Sequence, residues 1–184
     1  MSGLAASRRS SGPEDRFRRL FDDHFRIVTS YALRRTSGSD DAHDVTNETF
    51  AVAWRRLDDV PPDREAQVAW LLATARRVLA NHHRSQRRRR ALQLRVRNDG
   101  QRAPGRDVGD TTSEVERVRT ALGELAEVDR EILRLAAWED LPHAQIAEIL
   151  ELSVSAVSVR LHRARTRLSE VLTGLDDDAS GGAR

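Results

Sequence analysis

The chain has 184 residues, 39% of them hydrophobic and 33% charged, with a formal net charge of +2 and no cysteine. Without thiols there can be neither a disulfide framework nor a thiolate metal site, and no apolar run approaches the ~20 residues that span a bilayer. The length suits one ordinary domain or two small ones.

Glycine (10) and proline (5) are scarce, and the apolar residues are mostly Ala, Leu and Val. Ala and Leu lose little side-chain freedom in a helix, so an all-α chain is expected. All 31 basic residues are arginine. Its planar, permanently charged fork suits phosphates and base edges, but codon bias would give the same total, and placement says more. Residues 71–97 carry nine arginines and no carboxylate, whereas 39–65 hold eight carboxylates against three arginines (−5) and 114–151 hold ten against four (−6). Alternating blocks suggest separate partner surfaces.

Residues 1–13 are rich in Ser, Arg and Gly and read as a disordered tail without the apolar core of a signal peptide, so a cytoplasmic location is expected. From Asp15 a helix is predicted, with Phe17, Leu20, Phe21, Phe25 and Val28 at spacings of three and four. Thr36-Ser37-Gly38-Ser39 breaks it, and Ser39 or Asp40 can cap a second helix running to about Leu57. Ala42, Val45, Thr49, Val52 and Ala53 share its inner face. Pro61-Pro62 forces a loop. A third helix is predicted from Glu65 to Arg90, with Val68, Leu71, Leu72, Ala75, Val78 and Leu79 inward and a very basic second half. The glycine-containing stretch around 98–112 reads as part of a flexible linker, 91–112.

A second domain is expected over 113–173, opened by a Ser113-x-x-Glu116 capping box and the stripe Val115, Val118, Leu122, Leu125. A helix from Asp129 to Trp138 follows, then Pro142 in a first helical turn, where its missing N–H does no harm. Residues 142–165 form the most informative segment. A short helix ends at Leu150, Glu151-Leu152 make a tight turn, Ser153 caps, and a last helix runs from Val154 to about Leu172. Val154, Val157, Leu161, Ala164, Leu168 and Val171 line its inner face, and 174–184 are expected to form a disordered tail. This is a helix-turn-helix pattern. Its outer residues Ser155, Ser158, Val159, Arg160, His162 and Arg163 could meet phosphates or base edges, with Arg163 suited to guanine and Val159 to a thymine methyl. An ordinary helical hairpin with a solvated arginine face would show the same pattern.

The string LAEVDREILRLAAWEDLPHAQIAEILELSVSAVSVRLHRARTRL, Leu125 to Leu168, resembles the −35-reading region 4 of the sigma-70 family. Its ending VSVRLHRARTRL is typical of the extracytoplasmic-function (ECF) branch. The chain departs from the family where Glu151 replaces a turn glycine, Ala156 a common threonine and Ser158 a common basic residue.

DDAHDVTNETFAVAWRR, Asp40 to Arg56, resembles the sigma helix that docks on the clamp of the polymerase's largest subunit; His43, Thr46 and Asn47 depart from the family form. The resemblance makes Asp41, Asp44, Asn47 and Glu48 the core-polymerase contacts, with the three carboxylates on one helix face. A merely solubilising acidic face is the alternative. AWLLATARRVLANHHRSQRRRR resembles the −10-reading helix, which assigns Arg76, Arg77, Asn81, His83 and Arg84 to duplex DNA and Arg87 to Arg90 to phosphates. Arg77 stands where asparagine is frequent, and Trp70 fits a core anchor better than a stacking platform. The loop 58–64 occupies the place of base capture; lacking an aromatic, it would rely on backbone and on Asp59, Asp63 or Arg64.

The resemblance therefore implies two small helical domains, 14–90 (region 2) and 113–173 (region 4). The linker would thread toward the active-site cleft. Implied partners are core RNA polymerase (largest-subunit clamp and second-largest-subunit flap), promoter DNA and an anti-sigma factor. No catalytic set, metal site or cofactor is expected: the six histidines are scattered and no phosphate loop or nucleophile motif occurs. A stand-alone helix-turn-helix regulator is the rival reading. It would need a dimer interface or a ligand pocket in the first domain, and would bind a palindrome unaided.

Overall fold

The computed structural model describes residues 12–96, 118 and 120–181. Their regular structure is helical throughout, and the chain divides into two units between Arg87 and Arg88. The tail over 1–11, the linker over 97–112, the capping box at Ser113 and Val115 lie outside the described residues.

The first unit contains α1 (Pro13–Leu33), α2 (Ser39–Arg55), a 3₁₀ turn (Leu57–Asp59) and most of α3 (Arg64–Val96). α1 begins two residues before the expected start because Pro13 stands in its first turn, where no N–H is required. Leu20, Val28, Tyr31 and Ala32 are buried, together with His24. Of the expected stripe Leu20 and Val28 point inward, and the phenylalanines are turned aside. Phe17 and Phe21 pack along α2 on Trp54 and Phe50, at ring separations of 5.2 and 4.8 Å, and Phe25 is 36% exposed.

α2 contributes Ala42, Val45, Phe50 and Ala53 to this core, while Val52 is only half-buried. Thr46 and Thr49 are buried as well, their hydroxyls donating one turn back to the Ala42 and Val45 carbonyls at 2.8 and 2.7 Å. That removes the penalty of an unpaired buried hydroxyl. Neither Ser39 nor Asp40 caps α2: the N-cap is Gly38, with no side-chain cap bond. Asp40 and Asp41 instead lie in the first turn, favourable to the helix dipole.

α3 buries Ala69, Leu71, Leu72, Ala75 and Leu79; Val68 and Val78 are half-buried. It continues through Val96, so the first six residues of the expected linker are helical. Nothing in Ala91–Val96 breaks a helix, whereas Asn98-Asp99-Gly100 follow.

The second unit has helical residues at 120–123, then α4 (Glu127–Ala137), α5 (His143–Leu150) and α6 (Val154–Gly181). Leu125, Ile132, Leu135, Ile146, Ile149, Val157, Leu161 and Ala164 form its core. Val154, expected inward, is 49% exposed at the first position of α6. α6 also extends to Gly181, so the expected tail is helical from 174 to that point.

Arg130 ties the start of this unit together. Its guanidinium donates to the carbonyls of Leu122, Gly123 and Leu125 at 2.6, 3.0 and 2.8 Å, satisfying groups that a helix end leaves open. At the α5–α6 turn Glu151 sits at φ 58°, ψ 43°, and the Leu152 N–H reaches the Ala147 carbonyl at 2.9 Å. This is a Schellman ending with glutamate in the left-handed position. Ser153 caps α6 as expected, accepting from the Ala156 N–H at 3.1 Å.

Candidate nucleic-acid interface

In the first unit α2 and α3 flank a cleft of about 790 Å³, with Asp44, Asn47 and Glu48 on one wall and Arg77, Asn81 and His82 on the other. Two groups expected to serve different partners thus share one opening. The α2 carboxylates divide. Asp41 is turned to α3, accepting from Gln86 Nε2 at 3.0 Å with His82 Nε2 at 3.4 Å, so its role is to join the helices. Glu48 pairs with Arg55 at 2.9 Å, and Asp44 and Asn47 are exposed.

On α3, Arg76, Arg77, Asn81, His83 and Arg84 are all exposed, as are Arg87, Arg88 and Arg89. The side chain of Arg90 lies outside the described residues. Arg84 donates to Asn81 Oδ1 at 2.6 Å and to the Ala80 carbonyl at 3.3 Å. Asn81 is thereby oriented with its amide hydrogens left to offer. Trp70 is half-buried, as a core anchor would be, and the Arg56 guanidinium lies 6.0 Å from its ring centre.

The loop side chains expected to shape a base pocket each hold something else. Asp59 binds Arg56 at 2.8 Å, Asp63 caps α3 through the Ala66 N–H at 2.9 Å, and Arg64 faces Asp23 at 3.4 Å. The loop's path is set by residues that periodicity could not single out. Arg16 donates to the Val60 carbonyl at 2.6 Å. Gln67 donates to the Pro61 carbonyl at 3.0 Å and accepts from buried His24 at 2.9 Å. The pairing of buried His24 with half-buried Gln67 has no sequence signature; an isolated histidine inside an apolar stripe is the faint hint.

In the second unit the outer face of α6 is open. Ser155, Val159, His162 and Arg163 are exposed. Arg160 binds Asp129 of α4 at 2.8 Å, which makes it a brace between helices. Ser158 is half-buried under His143 of α5, the ring Nδ1 lying 2.9 Å from Oγ. The DREIL motif thereby acquires a structural meaning: Asp129 braces α6 and Arg130 clamps the preceding turn.

A family model described as Sigma-70 region 2 matches residues 20–89, and one described as Sigma-70, region 4 matches residues 115–168. The RNA polymerase sigma factor CnrH of Cupriavidus metallidurans is 32% identical over 180 residues, 92% of this chain and 93% of that protein. The ECF RNA polymerase sigma factor SigL of Mycobacterium tuberculosis is 29% identical over 150 residues, 80% of this chain and 83% of its own. The solved structure of CnrH in complex with the cytosolic domain of CnrY superposes with a TM-score of 0.63 at 31% identity, covering 89% of this chain and 92% of that one. The Bartonella quintana sigma factor RpoE, solved with the anti-sigma factor NepR, shares the fold at a TM-score of 0.58 and 22% identity, over 85% of this chain and 96% of its own.

Proposed function

The chain belongs to the sigma-70 family, in its ECF branch, and from that premise we propose that it binds core RNA polymerase and directs promoter-specific initiation of transcription. The observation that carries this reading is the order of parts. An acidic helix and an arginine-rich helix lie side by side in one unit, and a helix-turn-helix with an open outer face lies in the other.

Asp44 and Asn47, with Glu48 beside them, dock on the clamp of the largest subunit. Arg76, Arg77, Asn81, His83 and Arg84 engage the −10 element, with the arginines beyond them holding phosphates. Base capture falls to the backbone of loop 58–64, which Arg16 and Gln67 hold in place. Ser155, Val159, His162 and Arg163 read the −35 element from the major groove.

The chain acts by recruitment and melting, not as an enzyme, and it does so in the cytoplasm, where polymerase and chromosome lie. No described helix is long and apolar enough to cross a membrane. CnrH is solved bound to the cytosolic domain of CnrY; a protein partner of that kind, an anti-sigma factor, is proposed here too. In vitro transcription with purified core polymerase tests the reading. Defined start sites that appear only when the chain is added are expected. Failure to associate with core, or association without initiation, would overturn it.

A further inference from the structure

Ser158 was expected to touch DNA itself, but its hydroxyl is engaged. Oγ donates its one hydrogen to the Val154 carbonyl at 3.1 Å and lies 2.9 Å from Nδ1 of His143. A hydroxyl that has given its hydrogen away can only accept, so Nδ1 carries a proton and donates to Oγ. In the tautomer with its one proton on Nδ1, Nε2 is a bare acceptor. His143 is exposed at the start of α5, and this bond sets it beside the face of α6 that holds Ser155, Ser158, Val159 and His162.

We infer that His143 contacts DNA within the −35 surface, reading an exocyclic amine of adenine or cytosine, and that Ser158 is its positioning residue. The inference rests on α6 being the −35 reader. Hydrogen-bond chemistry selects the ligand. Phosphate oxygens only accept and repel a bare nitrogen lone pair. The major groove offers donors at adenine N6 and cytosine N4, whereas guanine O6 and thymine O4 present acceptors at the same edge. Which nitrogen of a histidine is protonated follows from the bond its other nitrogen makes. Ser158 thus fixes the sense of the readout as well as the ring's place.

The test uses holoenzyme assembled from the full chain and core polymerase, selecting from a promoter pool with a constant −10 element and a randomised −35 element. Enrichment of adenine or cytosine at one −35 position is expected. His143→Ala should relax that position by roughly 2- to 12-fold, the worth of one net hydrogen bond. Ser158→Ala should relax the same position, and the double variant no further than His143→Ala alone. Unchanged selection with His143→Ala overturns the proposal. An even loss over all −35 sequences with a shallower salt dependence also overturns it, because that is the mark of a phosphate contact. A wild-type holoenzyme that enriches no −35 sequence would sink the reading of α6 itself, a result visible without either variant.

Discussion

Glu151 holds φ 58° at the end of α5, a region that L-residues enter at a cost of roughly 1–2 kcal/mol and glycine enters freely. Glu151→Gly should therefore raise the stability of the second unit by about 1 kcal/mol, seen as a higher denaturation midpoint with unchanged slope. A lower midpoint would mean that the glutamate side chain contributes more than the backbone strain removes. Arg130 is the opposite case. It serves three carbonyls with one planar group, so Arg130→Ala should cost about 1.5–3 kcal/mol, and lysine should recover little because a point charge cannot fork. Arg163 is exposed on the outer face of α6. Its replacement by alanine should weaken −35 binding by about 1–3 kcal/mol and relax one base position. Equal binding to all −35 sequences before and after would remove it from the readout.

At the scale of elements, α2 and α3 divide their charges between structure and partners. Asp44 is exposed and takes no part in the bonds that join the helices, which run through Asp41. Asp44→Arg should therefore block assembly with core polymerase while leaving the melting temperature of the free chain unchanged. Normal holoenzyme formation would remove α2 from the clamp contact. Much of this was legible beforehand. The period of three and four marked the helices, and scarce glycine and proline marked their breaks. The illegible part is specific. That Asp63 caps while Asp58 and Asp59 do not, that Asp41 turns inward, and that Arg160 braces α4 depend on which neighbour the fold brings within 3 Å. A sequence lists those groups without their distances. The stripe of α1 was legible only in part: Leu20 and Val28 point inward as their spacing indicated, but only packing decides that His24 joins them while Phe17 and Phe21 stay half-buried and Phe25 is exposed.

For the whole molecule, the two units have separate cores. Leu71, Leu72 and Ala75 belong to one, and Ile132, Ile146 and Val157 to the other, each fully buried within its own unit. A domain with its own core can unfold as its own cooperative step. Leu72→Ala removes a buried leucine and should cost about 2–5 kcal/mol; Glu151→Gly acts on the other core. Calorimetry of the full chain should resolve two transitions, with Leu72→Ala lowering one and Glu151→Gly raising the other. If both substitutions moved a single transition, the units would be one cooperative body. The division has a functional meaning. The −10 and −35 elements are separate stretches of duplex, and the free energy of reading each is independent when the readers rest on different cores. Losses from Arg76→Ala and Arg163→Ala should then add in holoenzyme binding within about 0.5 kcal/mol, whereas a shared core would couple them.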